Sequence, residues 1–447
     1  MLLNQSHPQR VALHNEIHAR PPEAMSPPLA ISHVVMFGDA RQREDSRAHV
    51  AALLRERHLP QPDAQTNHIR MDLGAFRIRW ELHTEFVSWT FSRSFEAEAF
   101  AEREPPTGID AVPREWLANL PGECLASLHL WLLPVQAFVS LSLLKHVLGE
   151  DTLVAAKVAG GQGEVYTDFA IHPDGFSRMV LLAGTTSGAG PSQSDSEAGP
   201  RAGAPMSPRQ LGRLVQQLLE IDTYRMAALL GLPAAREAAT VLASAERELA
   251  ELADSIRAAG RHEEPRLLDR LTKLAGQVES QYAGTHSRFS ASAAYFELVD
   301  RRIEDIGESR LAGLQTIGEF MDRRLSPARA TCEWATRRQD ALSQRVSRIS
   351  NLLRTRVEIE QQQSSQALLA TMNARQGLQL KLQATVEGLS VAAITYYIVG
   401  LVSYLAKGAQ AIGWPWSAES TAAFAIPVVA LSVWWALRRL QHRLLRG

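Results

Sequence analysis

His14 and His18 stand four residues apart in HNEIHARP, a spacing that could offer two imidazoles on one helical face to a metal ion. No third ligand follows at an obvious spacing, so no metal is expected. Asn15, Glu16, His18 and Arg20 are read instead as hydrogen-bonding groups that fasten this segment onto the domain behind it. Residues 159–164 (AGGQGE) have the glycine content of a phosphate loop, but they fall between two strand candidates. No helix amino terminus follows to hold an anion, and a hairpin turn is expected. Asp300, Glu304 and Asp305 have no His or Cys nearby in sequence to complete an acid–base set. Their segment, RFSASAAYFELVDRRIEDIGE, reads as a helix-to-helix contact surface. Cys124 and Cys332 lack CxxC spacing, which argues against a zinc motif or disulfide framework and for a reducing compartment. GxSxG, HExxH, Walker and dinucleotide fingerprints are absent. No catalytic residue, cofactor or metal site is therefore expected, and the chain is not expected to be an enzyme.

One further pattern has chemical content. Tyr396, Gly400, Ser403 and Lys407 recur at spacings of 4, 3 and 4, which puts small or polar groups on one face of a helix. They lie in or beside the uncharged run 389–406 (LSVAAITYYIVGLVSYLA), which as a helix spans about 27 Å, close to a hydrocarbon core of about 30 Å. In a membrane such a stripe either lets helices approach closely or lines an aqueous path. A second apolar run, 420–437, follows a short connection in which Gly413 and Pro415 force a turn and Trp414 and Trp416 suit the headgroup layer. Arg438, Arg439, Arg443 and Arg446 come next, against only Lys407 and Glu419 in the connection. The positive-inside rule places that tail, and with two spans the amino-terminal region, in the cytoplasm. Residues 1–20 are polar throughout and carry no export signal.

These runs need a body to carry them. The chain has 447 residues, 45% apolar and 21% charged. Lys plus Arg (47) nearly equal Asp plus Glu (48), so nucleic acid is not an expected partner. A mean hydropathy of −0.14 excludes a many-pass transporter but not two spans. Strand patterns at 29–37, 68–73, 75–83, 86–93, 123–133, 152–158, 164–171 and 176–182 interleave with helical patterns at 41–58, 95–104, 113–120 and 135–148. That order predicts an α+β domain with a mixed, largely antiparallel sheet. Amphipathic helices are expected at 209–230, 233–259 and 265–306. From Ser326-Pro327, a good cap and first helical residue, one helix is expected to run into the first membrane run, on the order of 120 Å. Leu342, Val346, Ile349 and Leu353 give it a short coiled-coil seam that fades through 358–366 (EIEQQQSSQ). The expected organisation is an α+β domain at 1–184, a Gly/Ser/Pro linker at 185–208, and a helical domain at 209–325. A stalk helix at 326–388, a two-pass hairpin at 389–437 and a basic tail at 438–447 complete it.

HPQRVALHNEIHARPP, RFSASAAYFELVDRRIEDIGE, GLQTIGEFMDRRLSPA and VEGLSVAAITYYIVGLVSYLAKG resemble a bacterial family of uncharacterised membrane-anchored proteins, domain-of-unknown-function family 3422. The resemblance covers nearly the whole chain except residues 185–207 and implies membrane anchorage without an assigned activity. In plan, the cytoplasmic domain, stalk, first span, short loop, second span and basic tail are similar to the CorA-type magnesium channels, pentamers with the first span around the pore. That family's Gly-Met-Asn signature has no counterpart here, where Ala406-Lys407-Gly408-Ala409 stands. A ring of Lys407 at an external mouth would also repel divalent cations. The expectation is a homo-oligomeric protein of the bacterial inner membrane with the lipid bilayer as partner and both termini cytoplasmic. Its hairpin is read as an ion path of unassigned selectivity, or as a plain anchor for a cytoplasmic scaffold or sensor.

Overall fold

A computed structural model describes residues 7, 9–10, 13–14, 21–102, 105–135, 139–149, 153–183, 205–260, 263–410, 413 and 415–444. The chain divides into two compact units, one of residues 1–258 with 269–348, the other of 259–268 with 349–447.

In chain order the elements are β1 (Leu29–Phe37), α1 (Ala40–Glu56), β2 (His68–Asp72), β3 (Arg77–Leu82), β4 (Phe86–Ser94), a 3-10 turn (Ala97–Ala101), α2 (Arg114–Ala118), β5 (Glu123–Leu133), α3 (Leu141–Leu148), β6 (Val154–Val158), β7 (Gly163–Thr167) and β8 (Ser177–Ala183). After them come α4 (Pro208–Leu229), α5 (Gly231–Ala258), α6 (Glu264–Asp305), β9 (Ser309–Arg310), α7 (Ile317–Gln410) and α8 (Ala418–Leu444). The strands form one mixed sheet in the order β2-β3-β4-β1-β5-β8-β7-β6-β9. Among the strands of the described residues, β5 and β8 pair in parallel and the other neighbours are antiparallel. The α+β class with a largely antiparallel sheet is therefore what the strand patterns led us to expect. The linker expected at 185–208 lies outside the described residues except for its last four.

Alternation along β1 explains the layers, because successive side chains point to opposite faces. Leu29 and Ile31 join Leu128, Leu130, Val154 and Met179 in a cluster with Leu211, Leu214, Val215 and Leu218 of α4 and Phe296 and Val299 of α6. Val34 and Met36 point the other way, toward Val50, Leu53 and Leu54 of α1 and the fully buried Trp80 and Trp89. The sheet is thus covered on both faces. Gly212 permits the closest approach on the α4 face: a Cβ there would overlap the carbonyl oxygen of Glu23 and lie 2.8 Å from its carbonyl carbon. The first four residues of AGGQGE form the turn between β6 and β7, with φ of +65° at Gly160 and +87° at Gly161, values that favour glycine, and its last two begin β7.

Two helices begin differently from expectation. The one read from Val135 starts at Leu141, where the Ser140 hydroxyl accepts from the N–H of Leu143. The one read from Pro327 starts at Ile317 and carries Pro327 within it. Thr316 and Glu319 form a capping box there, and Glu308 accepts from the N–H groups of Ile317 and Gly318. With its amino-terminal donors satisfied that early, the helix has no need of the Ser326-Pro327 cap.

In the second unit, residues 361–386 of α7 are all exposed, Leu368, Met372, Leu382 and Val386 among them. Beyond them, the covered or half-covered positions of α7 include Val391, Thr395, Val399, Gly400, Val402, Ser403 and Ala406. Those of α8 include Ala418, Thr421, Ala425, Val429 and Val433. Both sets recur mostly every three or four residues, the pattern two helices leave when they lie against one another. By length and composition, three helices are apolar enough to cross a membrane: Pro208–Ala258, Ile317–Gln410 and Ala418–Arg439.

Candidate functional site

The registers of β1, β3 and β4 place polar side chains in a row across the sheet. Arg79 pairs with Thr90 and Thr90 with His33, while Glu81 pairs with Ser88. Such an alternating polar face normally meets water. Here α4 covers it, so Ser88, Thr90, His33 and Glu81 are buried. The helix answers with Gln216, Glu220 and Thr223, spaced at i, i+4 and i+7 on one face. Arg302 reaches in from α6. Together with His83, Phe86, Leu219 and Tyr224 they line a partly open cavity of about 250 Å³ within the first unit.

A continuous polar network runs through the wall of this cavity. Arg79 donates to Glu81 at 2.7 Å and to the Gln216 side-chain oxygen at 3.5 Å. Gln216 donates to Glu220 at 2.8 Å, and Glu220 accepts from Arg302, which also donates to Asp305 at 2.8 Å. The protonation of His33 follows from its neighbours. The Thr223 hydroxyl donates to the Leu219 carbonyl at 2.9 Å, so it accepts from His33 Nε2–H at 3.0 Å. His33 Nδ1 is then the acceptor for the Thr90 hydroxyl at 2.9 Å. Burial holds its pKa down at about 3, with the Glu81 carboxylate opposing that effect only in part. A neutral imidazole with both nitrogens engaged is a fixed part of the wall and not a general base. The charged groups left at the cavity, two guanidiniums and two carboxylates, can bind and orient polar molecules.

The residues singled out in the sequence lie elsewhere. Tyr396 is 78% exposed, Gly400 and Ser403 are half-buried, and Lys407 is exposed with its ammonium 6.0 Å from the Tyr404 ring centroid. Gly400 and Ser403 thus share the half-covered state of Val391, Val399 and Val402, while Tyr396 and Lys407 do not. Asn15, Glu16, His18 and Arg20 lie outside the described residues, whereas His14 is described and exposed. Asp300 of α6 pairs with Arg329 of α7 at 2.7 Å, a contact between two helices, whereas Asp305 pairs at 2.8 Å with Arg302 of its own helix. Among the described residues, no group of three or more His, Cys, Asp or Glu side chains could hold a metal ion.

Sequence reasoning missed the cavity altogether. Two signals pointed to it: the period-2 polar positions Arg79, Glu81, Ser88 and Thr90, and the polar interruptions Gln216, Glu220 and Thr223 on an otherwise apolar helix face. The family model described as protein of unknown function (DUF3422) matches residues 5–193 and 201–444. The short gap in that match falls within the Gly/Ser/Pro segment. No curated protein and no solved structure matches the chain.

Proposed function

The chain belongs to the DUF3422 family, and for it we propose a homo-oligomeric two-pass protein of the bacterial inner membrane, CorA-like in plan. In this reading α7 connects a cytoplasmic sheet domain to a membrane hairpin that forms an ion path between copies, and both termini are cytoplasmic. The observation that carries it is the exposure of the apolar helices. In the most apolar stretches of α7 and α8 only 6% and 0% of residues are buried, so lipid or other copies must cover them. The third helical segment, Pro208–Ala258, is left out of the membrane reading: its most apolar stretch is 33% buried, and upstream of that stretch Leu211, Leu214, Val215 and Leu218 pack into the sheet core.

Self-association is supported by the spacing along α7. Leu368, Met372, Leu382, Val386 and Leu389 are exposed positions of one 4-3 seam, with Arg375 and Gln379 at the positions between. Continued through Ala393, the same seam reaches Tyr396, Gly400, Ser403 and Lys407 without a break in phase. Copies sharing one membrane orientation would meet in parallel along it, which would turn that stripe toward their common axis. Lys407 there disfavours divalent cations, so magnesium is not the proposed ion. Light scattering on the full-length protein in detergent tests the reading: an oligomer is expected, and a monomer overturns it.

A second reading, a membrane-tethered sensor without transport, is favoured by the polar cavity in the sheet domain. Replacing residues 389–437 with an unrelated two-span anchor separates the two. Full cellular function after the exchange supports the sensor, and its loss supports the membrane path.

A further inference from the structure

We propose that the cavity between the sheet and α4 binds a small ampholyte of the amino-acid class, a molecule with one carboxylate and one ammonium group. The inference stands on the sheet unit alone and does not depend on the membrane reading. Its first support is size: about 250 Å³ is the space of roughly eight water molecules at about 30 Å³ each. That is room for a small metabolite.

The second support is the distribution of charge. Arg79 and Arg302 face the same space as Glu81 and Glu220, and His33 adds no charge. A lone anion would find two guanidiniums but also two carboxylates, and a lone cation would meet the reverse. A molecule carrying both charges satisfies both sets. Phe86 and Tyr224 line the same space and offer an apolar surface for the rest of the ligand. The third support is the cost of the arrangement. The Arg79 and Glu81 side chains are only 11% and 10% exposed, and taking charges out of water is expensive unless something compensates. Their bonds to each other and through Gln216 to Glu220 hold them in place before a ligand arrives, which lowers the ordering cost of binding.

The test uses the full-length protein in detergent, with the proteinogenic amino acids offered one at a time in thermal unfolding and titration calorimetry. Acetate and methylammonium serve as half-ligands. One or a few amino acids are expected to raise the unfolding temperature and bind, while neither half-ligand does. Arg302→Gln and Glu220→Gln should each weaken that binding by about tenfold or more. Since either variant could disturb the fold, unliganded unfolding is measured for both. Gln216→Leu, which keeps volume but removes the amide bridge, provides a third reading. The proposal is overturned if no amino acid binds at millimolar concentration, if a half-ligand binds as well as the amino acid, or if binding survives in all folded variants.

Discussion

Replacing Gly212 with alanine should destabilise the protein, although the same change in most helices stabilises. Alanine is favoured over glycine in a helix interior by roughly 0.5–1 kcal/mol. At Gly212, however, the new Cβ would overlap the Glu23 carbonyl oxygen and approach its carbonyl carbon to 2.8 Å. The obstacle is backbone, so no rotamer change relieves it. The strand of chain that must move is fastened: Met25 donates its N–H to the Pro208 carbonyl at 2.9 Å, and the Glu23 carboxylate lies 3.6–3.7 Å from the guanidiniums of Arg77 and Arg70. Overpacking a core in this way costs about 1–3 kcal/mol. After the helix gain, a net loss of about 1–2 kcal/mol remains, which lowers the unfolding temperature by roughly 2–4 °C per kcal/mol. Gly284 of α6 is the matched control, exposed and with nothing within 4 Å of an added Cβ. Gly284→Ala should be neutral or stabilising. Thermal unfolding of the two variants beside the wild type decides the matter. A Gly212→Ala protein that unfolds at or above the wild-type temperature would refute the reasoning.

Two other perturbations follow from the same structure. His33 and His129 have pKa values held down by burial at about 3 and about 4, against 6.5 in the unfolded chain. Between those values the unfolded state binds the additional protons, so the stabilisation is complete above pH 6.5 and is lost as pH falls through the window. The slope is at most about 1.4 kcal/mol per pH unit for each group; denaturation from pH 7.5 to 4.5 should show it, His33→Gln should reduce it, and a flat profile would contradict it. Glu246 accepts two bonds from Arg338, at 2.8 and 2.6 Å, joining α5 to α7, and the Arg338 guanidinium beside it holds its carboxyl below the usual range. A double-mutant cycle with Glu246→Gln and Arg338→Met should give a coupling of about 1 kcal/mol at this half-exposed pair, and zero coupling would show the bonds to be incidental.

Much of the fold was legible because burial leaves a period in the sequence. β1 and β5 have the bounds their alternation implied, Leu29–Phe37 and Glu123–Leu133, since both carry apolar residues to two covered faces. The start of α7 was misread because two caps compete within a dozen residues. Ser326-Pro327 is the more familiar pattern, but TIGE at 316–319 satisfies the amino-terminal donors first. The cavity left polar signals in two segments of the sequence but no sign that the two would meet. Arg79, Glu81, Ser88 and Thr90 read as a solvated sheet face, and nothing local says that a helix more than a hundred residues later will lie over them.

What the sequence determined by itself was the alternation that makes the strands, the amphipathic and apolar helices, and the short seam of Leu342, Val346, Ile349 and Leu353, all consequences of local spacing. Only the tertiary structure decided which polar groups are removed from water. His33, Glu81 and Thr223 come from strands and a helix far apart in the chain, and their burial, tautomer and ion pairing exist only once α4 packs on the sheet. Periodicity reports which face of an element is apolar. Whether a polar face meets water or another polar face depends on non-local contacts, and here that difference separates an ordinary surface from a cavity lined by buried charged groups.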